Sequence, residues 1–335
     1  MIVLVTLVLA GLMLFAQAFM TTLSNNPQAI ADDFSTFTTI FLGIFIEAAP
    51  FLLLGTLASG IVEVFINRDD IVNLLPKNAL GGSVLGSLMG FGFPVCECGV
   101  VPLTRRMLRK GIPPHVGIAF LLASPVVNPI VIVSTMAAFG LSKILFLRIG
   151  LSIVIATLTA LVFSIQSDPE KLLLAKVRLA RPQSLGAAFI GHELPKKPLR
   201  ERWLTVANIA VDEFFEMGRY LVFGALLASL MQTFVPRSFL LSFNQGPLIP
   251  VLAMIALAVL LSVCSTVDSF IALAFITSFG TGSILAFLVF GAMVDIKSTL
   301  LFLRVFERKT VAYLIALPLF MTILATVLIN IYIPV

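Results

Sequence analysis

The sequence predicts an all-α polytopic membrane protein with two related halves, and three observations support this fold class. The 335 residues are 59% hydrophobic and only 12% charged, whereas soluble domains are roughly 45 to 50% apolar. The apolar residues form runs long enough for helices of about 20 residues, which cross a hydrocarbon core of about 30 Å. Similar polar motifs interrupt the apolar sequence in both halves of the chain.

Nine apolar segments are candidates for helices, and shorter semi-polar stretches follow the third and the seventh. None shows the alternating ten-residue pattern of a membrane β-barrel. The first segment ends near a sequence that resembles a signal-peptide cleavage site, but no basic residue precedes it, so we treat it as a helix. The segments cover residues 2–23, 36–66, 79–95, 112–140, 142–165, 204–235, 248–263, 283–303 and 310–334.

One extended polar region separates the two halves. Residues 166–203 contain eight basic and four acidic side chains, and by the positive-inside rule this linker is expected in the cytoplasm. The predicted organisation is therefore an N-terminal helix with an external turn (1–35), a first repeat (36–165), the basic linker (166–203) and a second repeat (204–335).

Corresponding residues in the two halves indicate a duplication. Glu47 and Gly55 align with Glu216 and Gly224, and the Val-Cys pair at Cys96 aligns with the pair at Cys264 at nearly the same offset. Asn128 can be aligned with Asp295, although the register drifts after the cysteines.

Charge distribution predicts the relative orientation of the halves. Nine single crossings would put Arg304 and Lys309 outside, against the positive-inside rule. If 79–110 and 248–280 each enter the membrane and turn back near their cysteines, every basic patch becomes cytoplasmic. Each half then crosses an odd number of times, which predicts inverted repeats whose broken or re-entrant helices meet near the midplane, as in many secondary transporters.

The first cysteine motif places soft and hard ligand atoms inside apolar sequence. Pro94, Gly99 and Pro102 favour an unwound turn around Cys96-Glu97-Cys98. Thiolates select thiophilic ions or metalloids, whereas carboxylates favour hard cations or protons. The alternative is that these cysteines are small buried apolar residues.

The second motif offers one thiol and several oxygen atoms. Cys264, Ser265, Thr266 and Asp268 lie in another apolar stretch, and an intramembrane carboxylate there can bind an ion or carry a proton. The alternative for Asp268 is a structural ion pair with Lys297 or with an arginine.

Further polar residues occupy matching places in the two halves. Asn128 and Asp295 interrupt apolar helices, and breaks at comparable positions indicate a binding site; Asn128 could instead cap a helix kinked by proline. Glu47 and Glu216 are candidates for an ion or proton relay, with interhelical pairing as the alternative. Arg219 follows Glu216 by three residues and can pair with it on one helical face.

Several classes of protein are excluded or disfavoured. The sequence has no phosphate-binding glycine loop, nucleophile elbow or His-Glu-x-x-His zinc helix, so we expect no enzyme activity, no cofactor and no resident metal. The net charge is +5, but the basic residues lie in loops between apolar segments, where they indicate membrane topology. No nucleic-acid partner is therefore expected. Three cysteines do not form a secreted disulfide framework.

The residues Phe93-Pro-Val-Cys-Glu-Cys-Gly99, together with Gly111-Ile-Pro-Pro114 and Ser124-Pro-Val-Val-Asn-Pro129, resemble those of the ArsP/YraQ-type predicted permeases, a group that includes bacterial exporters of organic arsenicals. The resemblance covers most of the chain. It implies a permease of the cytoplasmic membrane and, for the arsenical branch, efflux of trivalent thiol-reactive compounds.

We therefore predict a secondary permease in the lipid bilayer that exports a small thiophilic substrate, with Glu97 or Asp268 coupling transport to proton movement. The alternatives are a membrane thiol-disulfide oxidoreductase that uses Cys96 and Cys98, and a permease for an unrelated small solute. The sequence leaves the substrate open, and it is compatible with a homo-oligomer.

Overall fold

A computed structural model of the chain describes residues 27–65, 76, 78–93, 95–164, 199–234, 246, 248–276 and 278–332. The predicted helix at 2–23 and the linker residues 166–198 lie outside this range. The described residues form helices without a β-strand, and five helical stretches are long and apolar enough to cross a membrane. The predicted fold class, an all-α polytopic membrane protein, is confirmed.

Twelve helices are described, six on each side of the linker. The first six are α1 (Pro27–Phe65), α2 (Ala79–Leu88, extended by a 3₁₀ turn Met89–Phe91), α3 (Glu97–Arg109), α4 (Pro114–Ala123), α5 (Pro129–Phe139) and α6 (Lys143–Phe163). The other six are α7 (Leu199–Phe234), α8 (Ile249–Leu261), α9 (Asp268–Leu273), α10 (Thr281–Met293), α11 (Ile296–Val305) and α12 (Arg308–Tyr332).

The helix order repeats between the halves. Each half begins with a long helix, continues with two helices separated by a cysteine-containing turn, and then has a broken pair of helices before a final long helix. The break between α4 and α5 ends at Asn128, and the break between α10 and α11 ends at Asp295. The residues that were aligned from sequence therefore stand at equivalent points of the two halves.

The long helices α1 and α7 pack against each other in antiparallel directions. The ring centroids of Phe65 and Trp203 lie 5.3 Å apart, and Gly60 lies against Val206. Ile44, near the other end of the contact, packs with Ala225 and Ala228. Residue numbers therefore increase along α7 in the direction in which they decrease along α1.

The helices α2 and α3 form a hairpin whose two open ends lie on the same side. Gly82, at the start of α2, lies against His115 at the start of α4, and Gly90 lies against Ser124 near the end of α4. Since α2 and α4 thus run in the same direction, and α3 leads directly into α4, α3 returns to the side from which α2 entered.

Basic side chains gather at this end of the molecule, which we call the basic end. Lys110 donates hydrogen bonds to the carbonyls of Val62 and Glu63 at the end of α1, and Arg202 donates to the carbonyl of Val64. Arg105 and Arg304 both contact Glu216. Arginines that are 199 positions apart in the chain therefore lie at one end.

Two sequence expectations differ in detail from the structure. Helix α1 begins at Pro27, inside the stretch expected to form an external turn. The unwound turn expected around Cys96-Glu97-Cys98 ends at Cys96, because Glu97 already begins α3. Pro102 is the sixth residue of α3, beyond the four amides that lack helical partners, so it removes the amide that would otherwise donate to the Cys98 carbonyl.

Candidate functional site

The two cysteine-containing turns meet inside the protein. Cys96 ends the turn between α2 and α3, Cys264 lies in the turn after α8, and their thiols lie close together in one buried cluster. Cys98, in the first turn of α3, lies close to Cys96. All three are free and buried, and they belong to one apolar cluster with residues from both halves. We call these three residues the thiol cluster.

Local backbone signals create the two turns. Helix α8 ends because Ser262 adopts a left-handed conformation (φ 45°), which is unfavourable for residues other than glycine. In the first half, the 3₁₀ turn Met89–Phe91 and Gly92 end α2, and the extended Cys96 starts α3. Polar backbone at such depth is tolerated where protein groups satisfy it.

Asn128 and Asp295 each connect a broken helix to the cysteine turn of the same half. The side-chain oxygen of Asn128 accepts a hydrogen bond from the Ile130 amide at 2.9 Å, and its nitrogen donates to the Val95 carbonyl at 3.1 Å. Asp295 accepts from the Ser298 amide at 2.6 Å and from the Ser262 hydroxyl at 2.6 Å. Equivalent residues thus make equivalent connections.

A buried cation lies between two carboxylates beside the thiol cluster. The Lys297 ammonium is 3.8 Å from Glu97 and 3.7 Å from Asp295, and its side chain is only 2% exposed. Glu97 belongs to the first half and Lys297 to the second, so this pair connects the halves. The second Glu97 oxygen has no hydrogen-bond partner among the described residues.

The two candidate relay glutamates lie in different surroundings. Glu47 lies beside Cys264 and Lys297, next to the thiol cluster. Glu216 instead binds Arg105 at 3.1 Å and Arg304 at 3.5 Å. The predicted pairing of Glu216 with Arg219 is not made, because the two arginines from α3 and α11 occupy the carboxylate.

Asp268 forms a separate polar network with Arg148. The carboxylate lies 2.7 Å from the guanidinium, and both side chains are almost completely buried. Arg148 also donates to the hydroxyls of Thr135 and Ser269 and to the Ser265 carbonyl. Asp268 therefore has the structural arginine partner that was the alternative to a transport role. The half-buried Thr266 lies in the same turn, two residues after Cys264.

The structure adds three residues that the sequence did not single out as site members. The sequence indicated Lys297 only as a possible partner for Asp268 and gave no role to Arg148 or Ser262. Each basic residue carried a usable signal, because a charge inside an apolar segment is costly and marks a partner or a pathway.

The arrangement can bind a thiophilic centre through sulfur and hold protons or cations on carboxylates. Within the described residues, no group of three or more His, Cys, Asp or Glu side chains is arranged around a metal position. Among the described residues, four ion pairs join the halves: Glu97 with Lys297, Arg148 with Asp268, Arg105 with Glu216, and Arg106 with Glu213. Any relative movement of the halves must break or exchange these contacts.

Comparison with known proteins agrees with this geometry. Residues 33–331 match a family model described as a predicted permease. The chain is 41% identical over 283 residues to the UPF0718 protein YcgR of Bacillus subtilis (strain 168), which covers 84% of this chain and 92% of the relative.

Two further relatives extend the comparison. A putative two-component membrane permease complex subunit of Streptococcus mutans (serotype c, strain ATCC 700610 / UA159) is 38% identical over 271 residues, covering 81% of this chain and 87% of the relative. The UPF0718 protein YraQ of Escherichia coli (strain K12) is 25% identical over 166 residues, covering 49% and 45%. No solved structure matches the chain.

Proposed function

Because the chain belongs to the predicted permease family, we propose that it is a secondary permease that moves a small thiophilic substrate through the thiol cluster. Membership of this family indicates a transporter rather than an enzyme. The observation that carries the proposal is the contact between Cys96 and Cys264, which brings a thiol from each half to one point.

The substrate class follows from the sulfur atoms and from the resemblance to arsenical exporters. Trivalent organic arsenicals are thiophilic and small, and they exchange thiol ligands. Three simultaneous sulfur bonds would oppose release, so one or two contacts form at a time and are exchanged between Cys96, Cys98 and Cys264 as the halves move.

The proposed transport cycle uses two inverted repeats that rock against each other. The antiparallel packing of α1 with α7, its counterpart in the second half, supports this arrangement. In the same way, α10 begins beside Asn330 near the end of α12, far from the basic end, whereas its counterpart α4 begins at the basic end. Discontinuous helices that meet between such repeats are typical of substrate sites in secondary transporters.

For coupling to protons, we assign the exchangeable proton to Glu97 rather than to Asp268. Asp268 is held by a direct 2.7 Å contact with Arg148, whereas Glu97 has one unpartnered oxygen and a longer contact of 3.8 Å with Lys297. A proton on Glu97 weakens its attraction to Lys297 and frees one connection between the halves. Glu47, beside Cys264, is the second candidate for this relay.

The same proposal places the chain in the cytoplasmic membrane with the basic end and the linker 166–203 in the cytoplasm, as the positive-inside rule predicts. Since the Streptococcus mutans relative is described as a subunit of a permease complex, we further propose that this chain acts together with a second membrane subunit.

Transport into inside-out vesicles tests the substrate proposal. The panel contains trivalent methyl and phenyl arsenicals, antimonite and small sulfur compounds, with wild type compared to C96S/C98S and C264S. We expect at least a tenfold loss of uptake of one thiophilic compound in both variants. T322S, a conservative change at a buried α12 residue outside the thiol cluster, is the control and should transport normally.

Three results would count against the proposal. Equal uptake by wild type and both cysteine variants for every thiophilic compound removes the sulfur-ligand model. Uptake of an unrelated solute that is insensitive to the cysteines favours a different permease. A mobility shift after thiol trapping that depends on redox conditions and requires both Cys96 and Cys98 favours the thiol-disulfide oxidoreductase.

A further inference from the structure

One face of α7 carries charged side chains on the outer surface of the protein. Asp212, Phe215 and Arg219 are exposed and, with the half-buried Glu216, line a depression of about 350 Å³. Residues three, four and seven positions apart share one face of a helix. We call this surface the charged face of α7. Among the described residues, Asp212 and Arg219 form no ion pair.

The register between α1 and α7 gives the depth of this face. Contacts of Phe65 with Trp203 and of Ile44 with Ala225 place Asp212 beside Thr56 and Arg219 beside Ala49. Both levels fall within residues 34–62, a mainly apolar stretch of α1 whose only charged side chain is Glu47. At a rise of about 1.5 Å per residue, Arg219 lies about 20 Å from either end of that stretch, and Asp212 lies about 10 Å inside the end nearer residue 62.

A charged face at this depth is incompatible with contact to lipid alone. A charged side chain near the bilayer centre costs at least about 2.5 to 3.5 kcal/mol. The outer surface of α12, by contrast, presents residues such as Phe320 and Leu324, as expected for contact with lipid. The charges on α7 therefore need a polar partner within the membrane.

Neither a second copy of this chain nor its N-terminal residues can supply the opposite charges that Asp212 and Arg219 need. In a dimer whose two-fold axis follows the membrane normal, the two copies of α7 run in the same direction, so Asp212 would oppose Asp212 and Arg219 would oppose Arg219. Residues 1–26 contain no charged side chain and cannot neutralise either group.

We propose that the charged face of α7 binds a transmembrane helix of a separate subunit, one that carries a basic residue opposite Asp212 and an acidic residue opposite Arg219. Seven residues of helix set these two charges about 10 Å apart along the membrane normal. The proposal rests on the suggested partnership with a second subunit but is independent of the substrate. A negative result in the transport assay would therefore not contradict it.

Photo-cross-linking in native membranes tests the identity of the occupant. Benzoylphenylalanine replaces Phe215 in one protein and Phe320 in a matched control, since both side chains are 67% exposed. We expect a defined adduct from position 215 only, mapped by mass spectrometry to a transmembrane helix that contains a basic and an acidic residue about seven positions apart.

Reversing the charges distinguishes recognition from proximity. In the D212R/R219D background, the adduct from position 215 should fall at least tenfold, because each partner charge then faces its own sign. An undiminished adduct contradicts the proposal. So does an adduct with this chain itself, whether its mass shows a second copy or an internal link to the linker 166–203, and so does the absence of any adduct.

A depth measurement tests the premise on the purified protein. The W203F/F215W variant has one tryptophan, because Trp203 is the only tryptophan in the sequence. In vesicles of lipid brominated along the acyl chains, its fluorescence should be quenched strongly, as should that of a W203F/F320W control. If only the control is quenched, the charged face lies in water and needs no membrane partner.

Discussion

At the residue scale, the protein places ionised groups where water is excluded and pairs almost all of them across its two halves. Lys297 and Arg148 are among the largest fully buried side chains, and each contacts a carboxylate from the other half. Taking a charge out of water is strongly unfavourable unless a partner and hydrogen bonds compensate it. Removing one member of such a pair should therefore cost more than removing both.

Lys297 gives a direct test of this coupling. K297M leaves Glu97 and Asp295 without their shared counter-charge and should lower the free energy of unfolding by about 3 to 5 kcal/mol. The double variant K297M/E97Q should be more stable than K297M, because no unpaired carboxylate then remains at position 97. Thermal unfolding in detergent compares wild type, K297M, E97Q and K297M/E97Q.

The control for this cycle is K309M, at an exposed position, which should unfold like wild type. Strictly additive effects of K297M and E97Q would show that the 3.8 Å contact contributes no interaction energy, and would remove it as a connection between the halves.

At the element scale, the broken helices have a clear local cause. Asn128 begins α5 with Pro129 at the first helical position, and Asp295 begins α11 with a capping box. Residues of these types stabilise helix starts by bonding free amides of the first turn. Because the same side chains also bind the cysteine turns, the position of each turn depends on the start of the neighbouring helix.

Asn128 separates these two roles. N128A removes both the cap and the bond to the Val95 carbonyl, and should lower stability by about 2 to 4 kcal/mol. N128D keeps an acceptor for the Ile130 amide but has no donor for Val95. Hydrogen exchange should therefore increase at residues 95–98 in both variants, and at the start of α5 in N128A only.

S142A is the matched control, since Ser142 occupies the N-cap position of α6 without a side-chain capping bond. It should leave exchange at the start of α6 unchanged. If N128D exposes the start of α5 as strongly as N128A does, the side-chain oxygen is not the cap, and the link between helix start and cysteine turn fails.

At the scale of the whole molecule, the two ends differ in charge. Arg105, Lys110, Arg202 and Arg304 lie at the basic end, whereas the connection between α5 and α6 lies at the other end. Leu141 in that connection is 77% exposed. This polarity is the structural basis of the topology that we propose from the positive-inside rule.

Labelling of single introduced cysteines with a membrane-impermeant maleimide checks the topology. R200C and K309C should react in inside-out vesicles and not in intact cells, and L141C should show the reverse. The native thiols are buried, so wild type provides the background. Labelling of K309C and L141C from the same side would contradict the proposed orientation.

The sequence by itself determined the fold class and indicated where the helices break. These depend on local properties: the length of apolar runs, and the proline, glycine, asparagine and aspartate residues that start or stop helices. It also singled out Cys96, Glu97, Cys98 and Cys264, because polar groups in apolar sequence are conspicuous wherever they lie.

Only the tertiary structure decided which of these residues meet. Local sequence does not specify that Asp268 pairs with Arg148, that Glu97 pairs with Lys297, or that Glu47 and not Glu216 joins the thiol cluster. These contacts join residues of different halves, and they form because the buried charges have no water and must find partners through packing of the whole chain.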